Sequence, residues 1–102
     1  TIDDDLANLC PAAAGICTYT YGRQGIELTL REPYDSAIRQ SISPPSTQGR
    51  LSRNDAVIAE THELVQNIMQ LGNQVQLPIA VYDGNRQFIA RYKPEFGGFS
   101  RN

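Results

Sequence analysis

The sequence is poor in several residue types on which functional sites commonly depend. Its 102 residues include no Trp, one His, one Met and two Cys. No apolar run approaches the roughly 18 residues that a membrane-spanning helix needs. We therefore predict no membrane insertion by this segment, and the scarcity of His and Cys leaves little from which a metal site could be built.

Neither sign of charge is in large excess. Nine Lys and Arg residues oppose eleven Asp and Glu residues, for a net charge of −2. The cations are scattered, whereas a nucleic-acid-binding domain shows a basic excess or a basic stripe. The composition predicts no nucleic-acid partner. With 40% hydrophobic and 20% charged residues, the chain has the composition of an ordinary globular protein, and its length predicts one domain.

The first residues lack the basic start of a signal peptide and an initiating Met. The chain opens Thr1-Ile2-Asp3-Asp4-Asp5, which is acidic. We interpret residues 1–102 as a single domain that was processed or excised from a larger protein. The compartment is not fixed by the sequence, but a periplasmic or extracellular origin is favoured over a cytoplasmic one.

The two cysteines bear on the same question. Cys10 and Cys17 are separated by six residues, and a bridge between them would close a short loop. An even cysteine count fits a disulfide in an oxidising compartment. Two reduced, partly buried thiols are the open alternative, because free Cys packs as a small hydrophobic residue. A zinc site has little support, since the pair is not a C-x-x-C motif and His62 lies far along the chain.

One amphipathic segment determines the predicted architecture. From about Asn54 to Val75, apolar residues return to one side of a 3.6-residue helix. Alternating β-branched and aromatic residues predict hairpins at about 16–30 and 77–92, the second with an Asp83-Gly84 turn. We predict an α+β fold in which an antiparallel sheet of two hairpins packs on this helix. Short helices are expected near 3–9 and 35–41, and the Pro-rich segment 43–53 is expected to be a mobile loop.

The closing elements resemble a known pattern. The Asp-Gly turn, together with Ile79, Val81 and Phe88 on its flanking strands, is similar to the closing hairpins of PAS-like and profilin-like domains. The resemblance is one of element order, and it implies a sheet-and-helix fold without implying an activity.

The search for catalytic motifs gives no positive result. Glu60-Thr61-His62-Glu63 resembles part of a metalloprotease helix, but Gln66 stands where the second His is required. The Gly22–Gly25 segment has neither Walker nor dinucleotide spacing and is interpreted as a turn. Neither a cofactor nor a catalytic residue is predicted.

Two hypotheses remain. The first is a non-enzymatic protein-interaction or sensory module, from an exported protein, that binds a protein partner through the exposed sheet face or the 43–53 loop. The second is a small-ligand-binding or enzymatic domain with a pocket between helix and sheet near His62 and Met69. We favour the first, because the sequence has no catalytic cluster, lacks an initiating Met and contains a cysteine pair. Tyr and Arg are typical of protein interfaces, although a position at the core boundary is the favoured interpretation of the tyrosines. The candidate partner surface comprises Tyr19, Tyr21, Arg91, Arg50 and Arg53.

Overall fold

The longest helix forms where the apolar periodicity predicts it. In the computed structural model, which describes residues 1–42 and 55–101, this helix, α3, spans Asp55–Val75. Leu64, Ile68 and Leu71 recur at helical spacing and are buried. The predicted 43–53 loop lies outside the described residues. No helix within the described ranges is both long and apolar enough to cross a membrane.

Two shorter helices precede α3. Helix α1 spans Ile2–Leu9, and the Thr1 side chain caps it by accepting a hydrogen bond from the Asp4 backbone N–H at 3.2 Å. Helix α2 spans Tyr34–Ile42. The Tyr34 hydroxyl donates to Glu60 of α3 at 2.8 Å, and this hydrogen bond raises the pKa of Tyr34. Both short helices lie where the sequence predicts them.

Within residues 1–42 and 55–101, the sheet has five strands in the order β1-β2-β3-β4-β5. The strands are β1 (Cys17–Gly22), β2 (Gly25–Leu30), β3 (Ile79–Tyr82), β4 (Phe88–Lys93) and β5 (Gly98–Ser100). The α+β class and both hairpins are confirmed. The expectation of a wholly antiparallel sheet is wrong, because β2 and β3 pair in parallel and make the sheet mixed. The connection from β2 to β3 contains α2 and α3, and such a crossover allows neighbouring strands to run the same way.

All three helices pack on one face of this sheet. The core joins Leu6 of α1, Ile38 of α2 and Ile68 of α3 to the inward residues of the strands. Tyr92 lies at the centre of this layer and is fully buried. Its hydroxyl donates to Asn73 Oδ1 at 2.6 Å, and its ring packs edge-on against Phe99 of β5. The tail thus adds a strand that the sequence did not predict, while Phe96 stays exposed.

The β3–β4 turn is fixed by two carboxylates. Asp83 accepts hydrogen bonds from the backbone N–H groups of Gln87 and Asn85 and from Arg39 of α2. The Gln87 N–H, followed by the other two donors, lowers the pKa of Asp83. Asp35 of α2 accepts from the Gly84 N–H at 3.2 Å. These contacts hold α2 against the turn.

Cys10 and Cys17 form a disulfide. Their Cα atoms lie 5.1 Å apart, and both side chains are buried. The bridge ties the end of α1 to the first residue of β1. Of the two alternatives that the sequence leaves open, the structure contains the disulfide.

Removing this bridge is expected to lower the free energy of unfolding by about 2–3 kcal/mol, because a closed loop of this length restricts the unfolded chain. The measurement is urea unfolding with and without a phosphine reductant. A Cys10→Ala/Cys17→Ala variant is the control, since its stability must not respond to the reductant. Equal stability of the oxidised and reduced wild-type protein would contradict the prediction.

Candidate functional site

The face of the sheet opposite the helices carries polar and aromatic side chains in two registered rows. The first row runs across all five strands, and the second covers β1 to β4. The first comprises Thr20, Glu27, Ala80, Arg91 and Ser100, and the second Thr18, Thr29, Tyr82 and Phe88. No described helix packs on this surface, which we call the helix-free face.

The side chain of Arg86 lies on this face although the residue belongs to the β3–β4 turn. Its guanidinium lies 4.5 Å from the centre of the Tyr82 ring and donates to Thr29 Oγ1 at 2.6 Å and Glu27 Oε1 at 3.2 Å. Its backbone adopts a left-handed φ of 63°, which is uncommon for a residue other than Gly, Asn or Asp. The side-chain contacts hold Arg86 in this conformation, and such local strain is typical of functional surfaces.

Arg91 is a second arginine on this face whose guanidinium lies over an aromatic ring, and we call Arg86 and Arg91 the aromatic-backed arginines. Its guanidinium lies 5.2 Å from the centre of the Phe88 ring, and Phe88 in turn packs edge-on against Tyr82. A guanidinium stacked on a ring keeps its planar donor fork, which matches carboxylates in a bidentate geometry. Arg91 is partly exposed and therefore reaches solvent.

A groove of about 490 Å³ runs from Arg91 to the β1–β2 turn. Ala80 leaves space between the side chains of Glu27 and Arg91, which lie on the strands either side of it. Arg23 stands at the turn end of this groove. The lining of the groove thus includes two arginines, Arg23 and Arg91, together with Glu27, Thr20 and Ala80.

Charge is segregated between the two sides of the domain. On the helical side, α1 carries three consecutive aspartates at Asp3–Asp5, and α3 exposes Glu60 and Glu63. The helix-free face and its turns carry four cations, Arg23, Arg86, Arg91 and Lys93, against three anions, Glu27, Asp83 and Glu95. The helix-free face therefore has a small excess of cations beside its aromatic side chains, whereas the protein as a whole is acidic. The scatter of cations along the sequence did not predict this difference.

The predicted partner surface is divided by the fold. Arg91 lies on the helix-free face. Tyr19 and Tyr21 lie on β1 with their side chains on the opposite, helix-side face of the sheet, where Tyr19 is partly buried and Tyr21 is 46% exposed. Arg50 and Arg53 lie outside the described residues. Strand alternation gave no reason to select Arg86, because this residue lies in a turn.

The pocket hypothesis concerned His62 and Met69. His62 is exposed on α3, while Met69 is partly buried against the core. Neither lines the groove beside Arg91 or the cleft between α1 and α3 beside Asn8 and Gln70. Within the described ranges, no three His, Cys, Asp or Glu side chains lie close enough together to hold a metal ion.

The fold and this surface define the protein as a small α+β domain in which one sheet face, free of helices within the described residues, carries arginine and aromatic side chains. No protein-family model matches the chain, and neither a curated protein nor a solved structure matches it. Any functional assignment must therefore come from the geometry of the domain itself.

Proposed function

We propose that this chain is a non-enzymatic protein-interaction module that binds an acidic segment of a partner through the helix-free face. The observation that supports this proposal most strongly is the pair of aromatic-backed arginines, Arg86 and Arg91, on the cationic side of an acidic protein. Arg and aromatic residues are enriched among the side chains that dominate protein interfaces.

The two arginines have different roles in this proposal. Arg86 is held by Glu27, Thr29 and Tyr82, so it serves mainly to keep this part of the surface rigid. Arg91 lines the groove and stacks on Phe88, and in this proposal it contacts a carboxylate of the partner. A rigid surface loses little conformational entropy on binding, which favours affinity.

The disulfide adds support for an exported protein, since disulfides persist mainly in oxidising compartments. The alternative of a small-ligand or enzymatic domain has less support, because neither His62 nor Met69 lines the groove or the α1–α3 cleft.

Selection of a random peptide library on the immobilised domain tests the proposal. We expect the selected peptides to be rich in Asp and Glu. The Arg91→Gln variant should bind them at least about tenfold more weakly, because a charge-assisted pair at a partly buried position contributes more than an exposed one. Arg91→Lys should give an intermediate affinity, since it keeps the charge but loses the planar fork.

His62→Gln is the matched control, because His62 is exposed on the helical side. Urea unfolding of each variant separates weaker binding from loss of fold. The proposal is overturned if Arg91→Gln binds the selected peptides as well as the wild-type protein does, or if NMR shifts map those peptides to the helices.

A further inference from the structure

The outer edge of β1 has no strand partner among the described residues. β1 is the first strand in the sheet order, so β2 pairs with one of its sides and no described strand pairs with the other. Thr18, Thr20, Tyr21 and Gly22 are exposed along it. An edge of this kind presents a row of backbone donors and acceptors to which another strand can bind.

The hydrogen-bond pattern identifies which residues point outward. The Arg31 N–H donates to the Ile16 carbonyl at 2.9 Å, just before β1 begins. Because bonding directions alternate along an antiparallel strand, Thr18 and Thr20 bond to β2. The backbone groups of Tyr19 and Tyr21 therefore point away from the sheet.

β1 lacks the features that usually protect an edge. Its sequence, Cys-Thr-Tyr-Thr-Tyr-Gly, contains neither a charged residue nor a proline, and it is six residues long. The opposite edge, β5, is only three residues long and begins with a glycine. Natural edge strands are commonly short, charged or interrupted by proline, and β1 has none of these features.

The charges at the two ends of β1 indicate what binds there. Arg23 follows the strand in the β1–β2 turn, and Arg31 lies beside its start, close to Gly15. In antiparallel self-pairing, the end of one copy's strand would meet the start of the other's, which would bring Arg23 near Arg31 of the second copy. Like charges there oppose a dimer, whereas an acidic-flanked segment would be attracted at both ends.

We propose that the outer edge of β1 accepts an extended, acidic-flanked segment of a partner protein as a sixth strand. The inference rests on the proposed function and specifies how the partner segment is held. Main-chain hydrogen bonds to Tyr19 and Tyr21 pair the segment with β1. Arg23 and Arg31 select the acidic residues that flank it. The groove that contains Arg23 and Arg91 continues from the end of this strand.

The first test removes one outward N–H group. Tyr21→Pro deletes a donor that faces solvent in the free protein, a position at which edge strands tolerate proline. Tyr21→Val keeps the donor and removes the same aromatic ring. The probe is a synthetic peptide with a six-residue alternating Thr-Val core and two glutamates at each end. We expect Tyr21→Pro to bind at least about tenfold more weakly, and Tyr21→Val within about twofold of the wild type.

The second test exchanges the flanks of the peptide. Replacing the glutamates with lysines should weaken binding by about fivefold or more, and Arg23→Glu should reverse part of that preference. Hydrogen exchange provides the direct readout. In the free domain the Tyr19 and Tyr21 amides should exchange faster than those of Thr18 and Thr20, and the glutamate-flanked peptide should slow the exchange of Tyr19 and Tyr21.

The outcomes distinguish this inference from the proposed function. If acidic peptides bind through Arg91 while the Tyr19 and Tyr21 amides stay unprotected, the strand-addition proposal is wrong and the interaction face stands. If these amides become protected with rising protein concentration in the absence of peptide, the occupant is a second copy, which overturns the partner proposed here. Loss of binding in Tyr21→Pro together with slowed exchange in the wild type supports the proposal.

Discussion

Replacing Gly72 with Ala is expected to destabilise the domain by about 2–4 kcal/mol. The added methyl group overpacks a rigid core, and this destabilisation exceeds the stabilisation that the higher helix propensity of Ala provides. A Cβ at position 72 would lie 2.5 Å from Cδ2 and 2.8 Å from Cε2 of Tyr92. The ring cannot retreat, since it is fully buried, its hydroxyl is bonded to Asn73 and Phe99 packs against it. Intrinsic propensity alone would predict stabilisation by about 1 kcal/mol. Urea unfolding measures which effect dominates.

Gly84→Ala is the control for this prediction. Its Cβ would make ordinary contacts, 3.6 Å from the Leu30 carbonyl oxygen and 3.7 Å from Asp35. We expect a change within about 0.5 kcal/mol. A Gly72→Ala/Tyr92→Leu double variant should lose less stability than the two single changes summed, because the smaller side chain relieves the clash. A Gly72→Ala protein as stable as the wild type would show that Tyr92 can move aside.

Gly25→Ala is expected to produce the second large effect, a loss of about 2–4 kcal/mol from backbone strain and a steric clash combined. Gly25 has a φ of +124°, which L side chains rarely adopt, and its Cβ would lie 2.8 Å from the Pro78 carbonyl oxygen. That oxygen accepts the Ile26 N–H at 3.1 Å, beside the first register pair of the parallel β2–β3 strands. A shift to accommodate the methyl group would break this bond.

Gly22→Ala is the matched control, because Gly22 is the register partner of Gly25 in the same hairpin. No atom lies within 4 Å of the Cβ that this change would add. We expect Gly22→Ala to leave stability unchanged or to raise it by up to about 1 kcal/mol, since Ala restricts the unfolded chain. Thermal unfolding of the two variants compares them directly. Equal effects of the two changes would rule out the close approach to Pro78 as the cause.

The position of Phe88 on the helix-free face could not be predicted from the sequence. Strict alternation along β4 places Phe88 on the same face as Ala90 and Tyr92. The structure has a register irregularity between Val81 and Tyr82, so that Ala90 opposes Val81 while Phe88 opposes Tyr82. A bulge of this kind moves one side chain to the other face. Phe88 therefore joins Tyr82 and supports Arg91, and no local pattern in the sequence indicates that change.

The left-handed conformation of Arg86 could not be predicted from the sequence either. The Asp83-Gly84 pair predicted a turn in which Gly84 takes the positive φ, but the left-handed residue is Arg86. The turn residues fix the existence and position of the hairpin. The conformation of Arg86 depends on Glu27, Thr29 and Tyr82, which come from two other strands. Thr29 and Glu27 are 57 and 59 positions away from Arg86 in the sequence. Contacts over such separations leave no trace in a local window of sequence.

The sequence by itself determined the α+β class, three helices, two hairpins and the absence of recognisable catalytic motifs, because apolar periodicity and turn chemistry act over a few residues. Only the tertiary structure decided the parallel pairing of β2 with β3, the contact between Gly72 and Tyr92, and the clustering of arginines on one face. These features depend on how the crossover through α2 and α3 returns the chain to the sheet. Long-range packing sets that geometry, and local preferences do not.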